Sequence, residues 1–217
     1  MKQHRNISIA DQIFEQLERD ILSGKYPRGE QMSELRLSAE LGVSRTPVRE
    51  AIRRLEQEDI LEESDAGMVV VGISQDDLMD MYEIRMSVET QSARRAAERI
   101  TEAELKEMRE IVDLQRFYAE KGGPDASERI RELDSEFHRL LYRSSGSRTF
   151  YHVLSALHKK IAKYRTASIS KRGRAAKSIE EHEAIYQALA AHDGDAAFEA
   201  AAQHLKHARD SMAGMEL

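Results

Sequence analysis

Residues 39–55 read AELGVSRTPVREAIRRL, and this stretch decides the fold of the N-terminal third of the chain. A short helix ends at Gly42, and Ser44 caps a second helix that runs to about Glu58. Pro47 lies in the first turn of that second helix, where its missing N–H costs nothing. Two short helices joined by a glycine-containing turn are typical of a helix-turn-helix. The second helix is therefore the expected recognition helix.

This second helix is strongly basic. Residues 44–55 contain four arginines and one glutamate, a local charge of +3. Arg45 and Arg49 are one turn apart near its N-terminal end, the part that enters the major groove, where arginine binds guanine bidentately or pairs with phosphate. Ser44, Thr46 and the helix N-terminus add neutral donors for phosphate oxygens. The pattern predicts DNA binding, with a solvated basic face as the alternative.

One helix precedes this pair and a hairpin follows it. Apolar residues at four-residue steps predict an amphipathic helix over residues 9–23. Residues 60–63 and 68–71 are β-prone and enclose a turn that ends at Gly67, which predicts a hairpin. The tip of this hairpin would form a wing that reaches the neighbouring groove. We therefore expect a winged helix-turn-helix, a small α+β unit, over residues 1–73.

The remainder of the sequence is expected to be entirely helical. Apolar periodicity and capping signals predict six helices, which cover residues 74–99, a segment starting at Thr101, and residues 126–144, 148–168, 177–191 and 194–213. No strand pattern or repeat follows residue 73. The fold is therefore expected to be mainly α, with an all-α antiparallel helical bundle over residues 74–217 and a hinge near residues 72–75.

Composition excludes several classes of protein. Of the 217 residues, 41% are hydrophobic, 33% are charged and none is cysteine, which excludes a disordered chain, disulfides and thiolate metal sites. No apolar run approaches the ~20 residues of a membrane span, so we expect a cytoplasmic protein with no membrane partner. The net charge is −6, and residues 1–74 hold 10 Lys and Arg against 14 Asp and Glu. A basic helix in an acidic body would suppress non-specific DNA binding.

One carboxylate and three histidines are spaced as candidates for a metal site. Asp134 and His138 share one face of a predicted helix, and His182 and His204 lie on two later helices. A bundle would bring them onto one cation, and this donor set suits Zn²⁺ and also Ni²⁺, Fe²⁺ or Mn²⁺. Spacing alone leaves histidines satisfied in the core or at the surface as the alternative. The other histidines lack such partners and are expected at surface or packing positions: His4, His152, His158, His192 and His207.

The N-terminal stretch resembles a known family. Residues 30–32, 39–55 and 60–61 are similar to the winged helix-turn-helix signature of the GntR family. The resemblance implies five residues that contact DNA or assist in doing so: Arg45, Thr46, Arg49, Ser44 and Gly67. Many relatives carry a base-contacting arginine where this chain has Leu35. Arg36 is the candidate to take its place, although it lies about 100° further round the helix.

The C-terminal part resembles the FCD effector domain of the FadR subfamily, through residues 76–89, 134–138, 181–185 and 203–205. The resemblance implies the ligands of a divalent metal at the floor of a cavity: Asp134, His138, His182 and His204. It also implies that Arg85 faces this cavity and meets the carboxylate of a small organic acid, the alternative being a pair with Glu89 in the same helix. Arg165, in a stretch without acidic residues, is a further candidate for an anion contact.

These expectations describe a metabolite-responsive transcription regulator, more often a repressor than an activator by the resemblance. It would bind a pseudo-palindromic DNA operator as a homodimer, because two recognition helices related by a two-fold axis need two half-sites. One alternative is a regulator that senses the metal directly. Another is a metal-dependent enzyme, but the sequence offers no further candidate general base, and the N-terminal unit would be unexplained.

Overall fold

A computed structural model describes most of the chain, in five stretches: residues 8–65, 67–123, 126–162, 164 and 173–212. The chain divides into two compact units, Met1–Ser74 and Gln75–Leu217. Arg165 lies outside the described residues. Among the described helices, none combines the length and the hydropathy that crossing a membrane requires.

The N-terminal unit contains three helices and a two-stranded antiparallel sheet. Its elements are α1 (Ile9–Leu22), α2 (Glu34–Leu41), α3 (Arg45–Gln57), β1 (Leu61–Ser64) and β2 (Gly67–Val70). In the sheet, Leu61 lies opposite Val70 and Ser64 lies opposite Gly67. The predicted winged helix-turn-helix is confirmed, and the strands lie within one residue of their predicted positions.

Local sequence explains where these helices begin and end. Ser8 and Asp11 form a capping box at the start of α1. Gly42 ends α2 with a φ of +67°, in the left-handed region that favours glycine. Ser44 occupies the N-cap position of α3, but its hydroxyl makes no cap hydrogen bond. Ser44 is therefore at the predicted N-cap position but does not make the hydrogen bond of a capping side chain.

Apolar faces of the three helices and the sheet form the core of this unit. The residues with at most 1% exposure come from α1, α2, α3 and β1: Leu17, Leu37, Val48, Ala51, Leu55 and Leu61. Burial of these side chains holds α2 and α3 together, and so determines which residues of α2 meet the start of α3.

The C-terminal unit is a helical bundle. Its described helices are α4 (Gln75–Ala97), α5 (Glu102–Lys121), α6 (Ala126–Ser144), α7 (Arg148–Lys160), α8 (Arg174–Ala190) and α9 (Gly194–Met212). Helix α9 packs on α4 and α8, α5 packs on α6 and α8, and α4 also contacts α6 and α7. The predicted all-helical unit is confirmed. Helix α8 begins three residues before its predicted start, and α7 ends at Lys160. Most of the stretch up to residue 168, over which this helix was expected to continue, lies outside the described residues.

The interior of this bundle is mostly apolar but includes one group of buried ionisable side chains. Buried apolar side chains such as Leu133, Leu141 and Leu205 form most of it. At one place six ionisable side chains with at most 4% exposure lie in the interior: Arg85, Glu89, Asp134, His138, His182 and His204. Burial of ionisable groups is costly unless they are paired or bind a ligand, so this cluster marks the candidate site of the unit.

Candidate functional site

The N-terminal unit presents two arginines at the start of α3. Arg45 and Arg49 are half exposed, with side chains 58% and 50% accessible, and both donate hydrogen bonds to Glu34 on α2. Arg49 Nε donates to Glu34 Oε1 at 2.8 Å, and its Nη2 donates to Oε2 at 3.0 Å. Arg45 Nη2 donates to the same Oε2 at 3.1 Å. The carboxylate therefore holds the two guanidinium groups side by side.

Glu34 changes the electrostatics expected from α3 alone. Hydrogen bonds from Arg49 lower the pKa of Glu34, so this carboxyl is ionised at neutral pH. One negative charge therefore lies between the two arginines, and the +3 counted along residues 44–55 overstates the local charge. Glu34 precedes Arg49 by fifteen residues on a different helix, so helical spacing gave no signal for this contact.

Three other predicted DNA contacts have their polar groups at the surface. Ser44 and Thr46 are exposed at the N-terminus of α3, beside the backbone N–H groups of its first turn. Gly67 begins β2 with a φ of +99°, a backbone conformation that residues other than glycine rarely adopt. Ser64 Oγ donates to the Gly67 carbonyl at 2.8 Å and closes the hairpin there. The structure thus shows the wing in which Gly67 was predicted.

Arg36 lies in different surroundings from Arg45 and Arg49. Its Nη2 donates to Glu30 at 2.8 Å, and its guanidinium lies 5.8 Å from the centre of the Tyr26 ring. Leu35 is 69% exposed, the highest value among the exposed large apolar side chains of the described residues. The role of Arg36 in DNA binding stays a prediction.

In the C-terminal unit, three predicted metal ligands converge. His138 on α6, His182 on α8 and His204 on α9 each offer a ring nitrogen, and these nitrogens lie within 4.8 Å of one another. Their ring centroids are 4.9 to 5.3 Å apart. Asp134 lies beside them, with Oδ1 at 3.7 Å from His182 Nε2. The structure therefore brings together all four residues that the sequence singled out.

Each of the three imidazoles is held from outside by an acceptor. His138 Nδ1 lies 2.9 Å from Glu89 Oε1, His182 Nδ1 lies 3.0 Å from Gln115 Oε1, and His204 Nδ1 lies 2.8 Å from Glu181 Oε2. Carboxylate and amide oxygens only accept, so each Nδ1 carries the proton and each Nε2 carries the lone pair. Oriented imidazoles of this tautomer are typical of metal ligands. Gln115 and Glu181 lie on different helices from the imidazoles that they hold, so spacing along the sequence does not predict these contacts.

Burial governs the protonation of this cluster. Burial lowers the pKa of His138, although its hydrogen bond to Glu89 opposes the shift. Burial, together with the neighbouring His138, lowers the pKa of His204 well below its usual range. Phe137 stacks on His182, with ring centroids 4.1 Å apart, and fixes the plane of that imidazole. His138 and His204 are therefore neutral at physiological pH, the form that binds metals.

Arg85 contacts Glu89, and Glu89 in turn contacts the cluster. Arg85 Nε donates to Glu89 Oε2 at 2.8 Å and its Nη2 donates to Oε1 at 3.3 Å, both side chains being 1% exposed. Burial raises the pKa of Glu89, but Arg85 and His138 outweigh it and hold that pKa well below its usual range. The alternative interpretation of Arg85, an intrahelical pair with Glu89, is therefore correct. A direct contact of Arg85 with an effector stays a prediction.

Two histidines expected at surface or packing positions lie at this site, His158 through a ring contact and His207 through a hydrogen bond. The ring of His158, on α7, lies 4.7 Å from that of His138, and burial lowers the pKa of His158 well below its usual range. His207 Nδ1 donates to Glu181 Oε1 at 2.8 Å, while the other oxygen of Glu181 accepts from His204. His158 is therefore a buried packing residue beside the cluster, whereas His207 has a carboxylate partner that spacing along the sequence did not predict.

Comparison with known protein families identifies both units of the chain. The family described as "Bacterial regulatory proteins, gntR family" matches residues 9–71, and the FCD domain matches residues 80–207, more than half of the chain. The chain belongs to the GntR family. It is a transcriptional regulator with a DNA-binding N-terminal unit, and the resemblance seen in the sequence is confirmed.

Relatives of this GntR-family protein are also regulators. The HTH-type transcriptional repressor RspR of Escherichia coli is 30% identical over 205 residues, which cover 94% of this chain and 89% of RspR. The uncharacterised HTH-type transcriptional regulator YdhC of Bacillus subtilis is 29% identical over 200 residues, which cover 90% of this chain and 87% of YdhC. These relatives and both families are regulators and not enzymes, which contradicts the alternative of a metal-dependent enzyme.

A solved structure shows the same fold. Escherichia coli McbR/YncC aligns with a TM-score of 0.72 and 24% identity, over 93% of this chain and 95% of that chain. The mainly helical fold, with a winged helix-turn-helix followed by a helical domain, is therefore confirmed.

Proposed function

We propose that this GntR-family protein is a cytoplasmic transcriptional repressor that binds a pseudo-palindromic operator as a homodimer. We further propose that a small carboxylate controls it by binding at a divalent metal ion in the C-terminal unit. The observation that carries the second proposal is a set of three imidazoles that converge. Each holds its Nδ1 at an oxygen acceptor, and one ring nitrogen of each lies within 4.8 Å of those of the other two.

The donor set fits a divalent ion such as Zn²⁺, with Ni²⁺, Fe²⁺ or Mn²⁺ as alternatives. Three neutral imidazoles and the Asp134 carboxylate supply four ligands from three helices, and Glu89, Gln115 and Glu181 orient the imidazoles. A bound ion would act as a Lewis acid for an anionic oxygen. The chain itself supplies the buried pocket and the fixed directions of the imidazoles.

The charge of the surroundings favours an anionic effector. Arg85 pairs with Glu89, and Arg174 pairs with Glu181 at 3.0 Å, so these two pairs contribute no net charge. A divalent ion with Asp134 as its one charged ligand then leaves one positive charge in a buried site. Since an uncompensated buried charge is costly, a monoanion such as a carboxylate would stabilise the site.

The metal proposal is tested by removing two ligands at once. We expect His138→Ala/His182→Ala to lose bound metal, measured by elemental analysis of the purified protein, and to lose the thermal shift produced by carboxylic acids. Asp134→Asn, which conserves volume, should weaken metal binding without loss of the fold, and the exposed His152→Ala serves as the control. Retention of both metal and effector response in the double variant would contradict the proposal.

Titrations of operator binding, with and without metal and acid, separate effector control from direct metal sensing. Operator binding that responds to an acid only in the metal-loaded protein supports the proposed function. Operator binding that follows metal concentration and ignores every acid would instead identify a metal sensor.

The operator proposal is tested at Arg49. We expect Arg49→Ala to weaken operator binding by about 1–3 kcal/mol and to relax one base preference, because an arginine at the start of a recognition helix reads a base edge. The measurement is in vitro selection of binding sites followed by anisotropy titration. Arg53→Ala, an exposed arginine further along α3, is the matched control and should leave base preference unchanged. An unaltered footprint of Arg49→Ala would refute the role of α3.

A further inference from the structure

We propose that Ser155 and His158, on α7, form a subsite that binds a hydroxyl-bearing end of the effector, remote from its metal-bound carboxylate. This inference rests on the effector proposed above and adds a structural feature to it: a second anchoring point. The effector would therefore be a short hydroxy acid and not a plain aliphatic acid.

The first observation is a set of buried polar atoms that lack a hydrogen-bond partner among the described residues. They are Ser155 Oγ and both ring nitrogens of His158. The two residues are three positions apart on α7, so their side chains lie on the same face of that helix. Buried polar groups in proteins are nearly always hydrogen-bonded, so three such atoms on one face indicate a missing partner.

The second observation is the position of His158. Its side chain is 6% exposed. The centre of its ring lies 4.7 Å from that of His138 and 6.2 Å from that of Tyr142. It does not belong to the group of three histidines whose nitrogens converge. His158 therefore borders the proposed metal centre without being one of its ligands. The contact between the rings of His138 and His158 is what places His158 next to that centre.

The third observation is a cleft between α6 and α7 that both residues line. It has a volume of about 680 Å³ and opens to solvent. Three basic side chains and two acidic ones lie along it: Arg129, Arg139, Lys159, Glu132 and Glu136. This excess of one positive charge favours the approach of a small anion. The cleft thus brings solvent to the side of α7 that carries Ser155 and His158.

The chemistry of the two side chains specifies what they bind. A serine hydroxyl donates one hydrogen bond and accepts others, and a neutral imidazole offers one donor and one acceptor. A hydroxyl group on the ligand also both donates and accepts, so it satisfies either side chain. A methyl group at the same place would leave the buried atoms unpaired, and sites of this kind reject such analogues.

The test compares acids that differ by one remote hydroxyl. The probes are γ-hydroxybutyrate against butyrate and β-hydroxypropionate against propionate, titrated calorimetrically into the metal-loaded full-length protein. A remote hydroxyl avoids tight chelation of the metal, which an α-hydroxyl would cause. We expect the wild type to bind a hydroxy acid about tenfold more tightly than its parent acid, the equivalent of one good hydrogen bond.

Three variants locate the origin of that preference. Ser155→Ala and His158→Phe should each reduce the ratio of affinities towards one while bound metal stays unchanged. Ser135→Ala is the matched control, because Ser135 lines the same cleft but donates its hydroxyl to the Arg131 carbonyl at 3.1 Å. It should keep the wild-type ratio. Ser155→Ala also keeps the test decisive if His158→Phe does not fold.

Several outcomes would overturn the inference. Equal affinity of the wild type for both members of each pair would do so, as would an unchanged ratio in Ser155→Ala and His158→Phe. A shift in the visible spectrum of Co²⁺-loaded His158→Phe without acid would make His158 a metal ligand instead. Failure of the wild type to bind any acid would refute the proposed effector as well, whereas a hydroxyl preference that survives both substitutions refutes only this subsite.

Discussion

The carboxylate of Glu34 has two opposing effects at the start of the recognition helix. It holds the guanidinium groups of Arg45 and Arg49 side by side, which reduces the conformational entropy lost when these arginines bind DNA. It also places a negative charge where phosphates would lie, which weakens binding to every DNA sequence. A residue of this kind favours specificity over affinity.

Glu34→Gln should therefore raise non-specific affinity and lower specificity. Because the charge that opposes phosphate is removed, we expect binding to scrambled DNA to tighten about threefold to tenfold, with a steeper dependence on salt. The ratio of operator to scrambled affinity should fall, since the arginines are less firmly held. Anisotropy titrations at several salt concentrations measure both effects. Glu50→Gln, an exposed acid on α3, is the control for a general change of charge, and an unchanged ratio in Glu34→Gln would contradict the role given to Glu34.

At the scale of helices, single acceptors join pairs of elements at the histidine cluster. Glu89 connects α4 to α6 through His138, and Gln115 connects α5 to α8 through His182. Glu181 on α8 accepts from both His204 and His207 on α9, and from Arg174 at its own helix N-terminus. Metal binding at the imidazoles would therefore be coupled to the relative positions of five helices.

Glu181→Gln should weaken metal binding, because it removes the carboxylate that orients His204. We expect metal affinity to fall about tenfold to a hundredfold, the usual cost of losing a group that orients a metal ligand. Competition with a chromophoric chelator measures this affinity. The neighbouring Glu180→Gln, exposed on the same helix, is the matched control and should bind metal as the wild type does. Equal affinities in the two variants would show that Glu181 does not orient His204.

At the scale of the whole molecule, the buried histidines make stability depend on pH when no metal is bound. Burial lowers the pKa of His138, and lowers those of His158 and His204 well below the ordinary value of 6.5. The charged groups around them are Arg85 paired with Glu89, Arg174 paired with Glu181, and Asp134. In the window between the lowered values and about 6.5, the unfolded chain binds more protons than the folded one.

The metal-free protein, prepared with a chelator, should therefore lose stability as the pH falls below about 6.5. For each unit by which the pH falls within that window, each of these histidines lowers the free energy of unfolding by up to about 1.4 kcal/mol. Above it, they contribute no pH dependence. Thermal melts of the chelated protein across this range test the prediction. His158→Gln should lessen the slope, whereas the exposed His152→Gln should not, and identical slopes in both variants would contradict it.

Local signals along the chain are enough to predict the helices, the hairpin and the family. Capping residues and apolar periodicity place α1, α2, α3, the hairpin and the starts of the bundle helices close to their observed positions, because these signals act between residues a few positions apart. The resemblance to GntR and FCD sequences is confirmed, and the four spaced residues do converge: Asp134, His138, His182 and His204. Their role as metal ligands stays a prediction.

The side chains that surround these residues follow from the packing of the whole unit and not from local sequence. Glu34 meets Arg49 across fifteen residues, Gln115 meets His182 across sixty-seven, and His158 meets His138 from another helix. Such contacts depend on how the helices cross and on their rotation about their own axes, which the packing of the whole core sets. No pattern along the chain encodes them locally, and for that reason His158 looked like an ordinary histidine in the sequence.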